Sequence, residues 1–299
     1  MNEPVVARRS HSRPSPVTGA AVSRAEEVAA VLRQRCAAWP ELFRTDALPA
    51  LALAVTTSAS TLPLRGQVTL TALGVWLCAF DDFVDDPETT PSDVELRIAQ
   101  YETLIIHGRC AELAFDPVAE LLTEVREALR EAPLARAGAW PLFEAQFIAG
   151  LDAMRWEREV MTAEHVPPTL EVYLDRATES VFVSVVITAA AMLLGEPSWL
   201  RQITTLLWAE RSAATVIRIA NDIATWPREQ HEHEANAFRF AGHDAAGKLA
   251  CRIRAEQMML DITVPRLASC PATAAFIQRF TDFFVSTYAV GDLDVHATK

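Results

Sequence analysis

Val68-Thr69-Leu70-Thr71-Ala72-Leu73-Gly74-Val75-Trp76-Leu77-Cys78-Ala79-Phe80 runs directly into Asp81-Asp82-Phe83-Val84-Asp85-Asp86. The apolar run reads as a buried helix, and the four aspartates fall at its C-terminal end. A helix C-terminus carries partial negative charge, so each carboxylate there is disfavoured by roughly 0.3–1 kcal/mol. Residues four apart share a face, so Asp81 repels Asp85 and Asp82 repels Asp86. Such a cluster calls for positive charge, and hard divalent cations with oxygen ligands fit it.

Working outward, Pro87 closes this helix, expected over about 67–84. Ser23 with Glu26 makes a capping-box spacing for a first helix over about 23–38. A second is expected over 46–60, and others over 92–107, 117–130, 137–164 (interrupted near Gly150), 169–194, 200–225, 245–260 and 274–289. About ten helices joined by short links, no alternating strand pattern and only 10 glycines in 299 residues predict an all-α protein. The expected organisation is a single helical domain over 23–299. Residues 1–22, rich in Arg, Ser and Pro, read as a disordered tail.

Hydrophobic residues make up 51% and charged residues 22%, which is ample for a core. The net charge is −12, and only Lys248 and Lys299 are lysines among 27 basic residues. Nucleic-acid binding, which needs a basic face, is excluded as an expectation. Five scattered cysteines imply reduced thiols and a cytoplasmic location, not a disulfide frame. Val181 to Leu194 is apolar but shorter than the roughly 20 residues a membrane span needs, so no membrane partner is expected. His231, Glu232, His233 and Glu234 read as a solvated loop.

A second acidic set lies downstream. Asn221, Thr225 and Glu229 stand at i, i+4 and i+8, and each helical step of four drifts only about 40°, so they share a face. An amide, a hydroxyl and a carboxylate are all oxygen donors, which suits Mg²⁺ and not zinc. Mg²⁺ usually shares phosphate oxygens of a substrate, so two such sets imply a diphosphate between them. Arginine matches phosphate geometry, and Arg176 and Arg228 are the candidates. Pro227, inside the second set, favours a kink.

Asp81-Asp82-Phe83-Val84-Asp85 resembles the aspartate-rich motif of class I terpene synthases. Asn221-Asp222-Ile223-Ala224-Thr225-Trp226-Pro227-Arg228-Glu229 resembles their second metal motif, and about 140 residues separate the two. The resemblance covers about residues 25–290. It implies a bundle around an apolar cavity, with both motifs at its mouth. It further implies three Mg²⁺ ions, held by Asp81 and Asp85 and by Asn221, Thr225 and Glu229, with Asp82 as their neighbour. By the same resemblance Arg176 senses diphosphate, Glu179 and Ser180 sit at a helix break that helps trigger ionisation, and Arg228 contacts diphosphate. A closing Arg-Tyr pair is usual; here Tyr288 offers the Tyr without the Arg. Phe80, Phe147 and Phe182 are expected to line the pocket.

The implied partner is a prenyl diphosphate, with a twenty-carbon substrate (linear or bicyclic labdane-type) favoured, a fifteen-carbon one as alternative, and a homodimer allowed. Two other readings stand beside it. A chain-elongating isoprenyl transferase would carry a second aspartate-rich motif and lysines. A non-catalytic helical partner protein would bind no diphosphate.

Overall fold

The computed structural model describes residues 18–162, 168–231 and 234–291. Twelve α-helices occur among them, with no strand. In order they are α1 (Gly19–Cys36), α2 (Leu48–Ser58), α3 (Leu64–Asp85), α4 (Pro91–His107), α5 (Pro117–Arg130) and α6 (Trp140–Thr162). Then come α7 (Leu170–Ser180), α8 (Val183–Leu194), α9 (Ile203–Glu229), α10 (Ala237–Ala241), α11 (Ala245–Thr263) and α12 (Pro271–Tyr288). The all-α expectation holds.

Local chemistry sets several ends. Thr18, not Ser23, caps α1 by accepting from the Ala21 amide at 3.2 Å, so the helix begins inside the stretch expected to be tail. Thr90 and Asp93 form a reciprocal capping box on α4, and Gly108 ends it in the left-handed conformation that glycine tolerates. The Glu196 carboxylate accepts from the Ala272 and Thr273 amides at 2.9 and 2.8 Å, tying the α8–α9 connection to the start of α12.

Two expected details change. Helix α6 runs unbroken through Gly150, because that glycine serves close packing: a Cβ there would lie 2.7 Å from the Phe182 ring. The irregular turn precedes α6 instead, at Gly138 (φ 100°). The stretch expected as one helix over 169–194 is divided between α7 and α8 by Phe182, whose φ is +52°.

Helix α9 is the spine, packed against α7, α8, α11 and α12, while α3 packs against α1, α2, α5 and α8. The interior holds a continuous aromatic group. Trp76 stacks on Phe80 (5.6 Å) and contacts Tyr101 (5.3 Å), Phe147 (4.9 Å) and Phe182 (5.6 Å). By length and composition, Leu64–Asp85 and the combined stretch Leu170–Leu194 could cross a membrane, contrary to the expectation drawn from Val181 to Leu194 alone. Both are mostly buried against other helices, as core helices are.

Candidate active site

The C-terminal turns of α3 and α9 open into one cleft of about 980 Å³, completed by the second half of α6 and the segments around 86–91 and 234–235. Eight carboxylates line it: Asp81, Asp82, Asp85, Asp86, Glu88, Glu157, Glu229 and Glu234. Four arginines face them: Arg44, Arg158, Arg218 and Arg228. Two helix C-termini add their own negative ends, so the cleft is short of positive charge. Among the described residues, no three His, Cys, Asp or Glu side chains converge closely enough to hold a metal ion unaided. That suits a cation sharing its shell with amide, hydroxyl and ligand oxygens.

On the α3 side, Asp81 and Asp85 both line the cleft. Asp85 is exposed and contributes to the cleft wall. Desolvation there, followed by the negative charges of Asp81, Glu234, Glu157 and Glu229, holds its carboxyl well above the usual range. Asp82 turns to Arg44, whose Nε donates to Oδ2 at 2.7 Å and whose Nη2 donates to Oδ1. Arg158 donates to the carbonyls of Val84 and, at 2.5 Å, Thr89, fixing the last turn of α3 from α6. A cation at a helix C-terminus is favourably placed.

On the α9 side the helix continues through Pro227 to Glu229. Asn236 braces this stretch. Its buried amide donates to the Asp222 carbonyl (2.8 Å), Thr225 Oγ1 (3.4 Å) and Glu229 Oε2 (2.8 Å), clasping the turns on both sides of the proline. Asn221, Thr225 and Glu229 all line the cleft. Arg228 pairs with Glu229 at 3.2 Å and with Glu234 at 3.4 Å. His231 and Glu234 lie at the edges of the expected acidic loop; Glu232 and His233 fall outside the described residues.

Between the two sides stands Arg218. Its Nε lies 3.0 Å from Asp222 Oδ1 and its Nη1 3.0 Å from Glu157 Oε1. The first pair is close enough for charge attraction without hydrogen-bond alignment. Nη1 also donates to Ser180 Oγ at 3.0 Å, and Nη2 donates to the Tyr173 hydroxyl and to the Ala235 carbonyl. Burial pushes the Glu157 carboxyl up to about 7 and Asp222 up to about 6; Arg218 opposes both shifts without cancelling them.

Several expected site residues lie elsewhere. Arg176 is exposed on the flank of α7 and does not line the cleft; Arg218 is the inner-wall arginine. Glu179 pairs with Arg211 at 2.8 Å. Ser180 does stand at the expected helix break, two residues before Phe182. Phe80, Phe147 and Phe182 are buried at 0–1% exposure, pack on one another and on Trp76, and are not among the residues lining this cleft. Tyr288 packs near Phe284 at 6.1 Å and is not among the residues lining the cleft. Sequence spacing alone does not single out Arg44, Glu157, Arg158, Tyr173 or Asn236. Arg218 does carry a signal, as the lone charge in the apolar run Ala213 to Ala220.

A carboxylate-rich cleft of about 980 Å³ thus opens among the helices of an all-α bundle. Residues 72–244 match the family described as terpene synthase family 2, C-terminal metal binding, and the chain belongs to that family. It is therefore a class I terpene synthase, a lyase acting on prenyl diphosphates. Its fold is shared with linalool/nerolidol synthase from Streptomyces clavuligerus in complex with 2-fluorogeranyl diphosphate. That pair shows 12% identity over 91% of this chain and 100% of that one, with a TM-score of 0.74. A second is 2-methylisoborneol synthase from Streptomyces coelicolor A3(2) in complex with Mg²⁺ and geranyl-S-thiolodiphosphate, at 16% identity, 93% and 96% coverage and a TM-score of 0.74. A third is hedycaryol synthase in complex with nerolidol, at 17% identity, 94% and 98% coverage and a TM-score of 0.69. No curated protein matches the chain in sequence.

Proposed function

We propose that the chain ionises an isoprenyl diphosphate in a Mg²⁺-dependent reaction and cyclises or rearranges the resulting allylic cation. The observation that carries this is the meeting of Asp81 and Asp85 with Asn221, Thr225 and Glu229 across one cleft. The donor set is all oxygen, and the carboxylates of Asp81, Asp85 and Glu229 share one cleft, so the residues fit a hard divalent cation. Asp81 and Asp85 would hold ions on one side, and Asn221, Thr225 and Glu229 one on the other, three in all as the resemblance implies. Bound Mg²⁺ supplies charge neutralisation for the departing diphosphate.

The remaining chemistry belongs to this chain's own groups. Arg228, now sharing Glu229 and Glu234, is placed to exchange a carboxylate for a phosphate oxygen. Arg158 and Arg44 keep the acidic end of α3 in place while the diphosphate is held. The buried aromatic group beneath the cleft offers ring faces to the cation and keeps water from it.

For substrate length, ten or fifteen carbons are favoured: the solved relatives were captured with a geranyl analogue or nerolidol. Chain elongation is disfavoured: Lys248, the only lysine among the described residues, is engaged with the Ala241 carbonyl at 2.6 Å. The test is incubation with Mg²⁺ and geranyl, farnesyl, geranylgeranyl and labdane-type diphosphates, read by mass spectrometry. Terpene hydrocarbon or alcohol from the shorter substrates is expected. Product from geranylgeranyl diphosphate alone would overturn the length reading, and longer prenyl diphosphates would establish the transferase.

A further inference from the structure

Val84 of α3 and Met154 of α6 line the cleft and also belong to the main hydrophobic core, at 5% and 3% exposure. They stand where charged walls give way to apolar ones. On α6 the cleft is lined by Met154, Glu157, Arg158 and Met161, at i, i+3, i+4 and i+7, so one face of the helix carries all four. The same face continues inward from Met154 through Leu151 to Phe147, both fully buried. On α3 the matching face runs from Val84 through Phe80 to Trp76, in steps of four.

Two contacts fix how these faces meet. At the rim, Arg158 Nη1 donates to the Val84 carbonyl. In the interior, the Phe147 and Trp76 rings lie 4.9 Å apart. Both helices therefore rise from the interior to the mouth in the same sense, and Met154 comes between the two contacts, one turn below Arg158. Its surroundings are stiff. Phe80 and Phe147 are locked against Trp76 by ring packing, and Val84 is β-branched with little freedom at χ1. Methionine is unbranched, with three rotatable bonds, so Met154 can swing aside without moving backbone.

We propose that Met154 is a specificity-determining residue: its side chain is the threshold between the cleft and the interior, and its bulk sets how much of a prenyl chain passes below the diphosphate. This rests on the prenyl diphosphate reading of the cleft. A smaller side chain at this position widens the way inward and favours longer chains. A rigid ring there narrows it and favours shorter ones.

The test is calorimetric binding to the full chain with Mg²⁺, comparing inorganic diphosphate with the unreactive geranyl-S- and farnesyl-S-thiolodiphosphates. It uses wild type, Met154→Ala, Met154→Phe and Met161→Ala. Inorganic diphosphate should bind all four within about threefold, which also shows each variant to be folded. The ratio of farnesyl to geranyl affinity should rise about tenfold in Met154→Ala and fall by a similar factor in Met154→Phe. Met161→Ala, two turns further out, should leave that ratio within about twofold. Met154→Val, a milder truncation, decides the matter if the alanine variant does not fold. Relative kcat/KM for geranyl and farnesyl diphosphate should move in the same directions as the affinities. An unchanged ratio in the Met154 variants with inorganic diphosphate binding intact overturns the proposal, as does an equal shift in Met161→Ala. A shifted binding ratio in a chain that turns over no prenyl diphosphate would sink the catalytic reading and leave the threshold standing.

Discussion

Asn236→Ala isolates the clasp that holds the second motif together. The side chain is fully buried and serves two ends. Its Oδ1 caps α10 by accepting from the Phe238 amide at 3.0 Å, and its Nδ2 reaches Glu229 at 2.8 Å and the Asp222 carbonyl at 2.8 Å. Losing an N-cap costs about 1 kcal/mol. Taking a donor from a buried carboxylate costs about 1.5–3 kcal/mol. The Asp222 carbonyl keeps its place in the α9 ladder and adds little. The sum is a loss of about 2.5–4 kcal/mol, which at roughly 2 °C per kcal/mol lowers the melting temperature by about 5–8 °C. Asn236→Asp is the informative partner: it restores the cap but sets a second carboxylate against Glu229, so it should lose stability at pH 7 and regain part of it on acidification. Denaturant titrations at pH 5 and pH 7 measure both. An alanine variant within about 0.5 kcal/mol of wild type would refute the clasp, as would an aspartate variant unchanged at pH 7.

Packing and charge give two further outcomes. Gly150→Ala forces a Cβ to 2.7 Å from the Phe182 ring, so it should destabilise by about 1–3 kcal/mol despite alanine's better helix propensity; a thermal melt showing stabilisation would contradict the packing argument. Glu210 is buried between α6, α8 and α9, accepting from Gln146 and Thr188 at 2.9 Å each, and burial pushes its carboxyl up to about 8. A raised acid stabilises the fold below its unfolded value and loses that contribution as pH rises towards 8, so wild type should lose at least about 1.4 kcal/mol more than Glu210→Gln between pH 5 and pH 8. Parallel pH profiles for the two would rule this out.

The parts legible in the sequence are those written in local spacing. The apolar run into Asp81–Asp86, closed by Pro87, predicts α3 to within a few residues. The four-residue steps from Asn221 to Glu229 place three oxygen donors on one face, and the cleft brings them opposite Asp81 and Asp85. The illegible parts depend on distant residues. Periodicity cannot break the uniformly apolar stretch at Phe182, because the space its ring needs is made by Gly150, 32 positions earlier. Pro227 reads locally as a weak point of the helix, while the clasp that spans it comes from Asn236. Arg176 matches a spacing, but which arginine reaches the cleft is decided by helix rotation, and α9 turns Arg218 inward. The aromatic residues are recognisable as core or lining alike from sequence; in the structure they are stacked on one another.

The central claim is that the two acidic sets act together on a diphosphate through Mg²⁺. The most direct measurement is release of inorganic diphosphate from geranyl and farnesyl diphosphate by wild type, Asp81→Ala and Asn221→Ala, with Mg²⁺ or with a chelator. Release by wild type with Mg²⁺, none with chelator, and a fall of about a hundredfold or more in either variant with the fold intact is the predicted result. Release at the wild-type rate in either variant, or undiminished by the chelator, would contradict it.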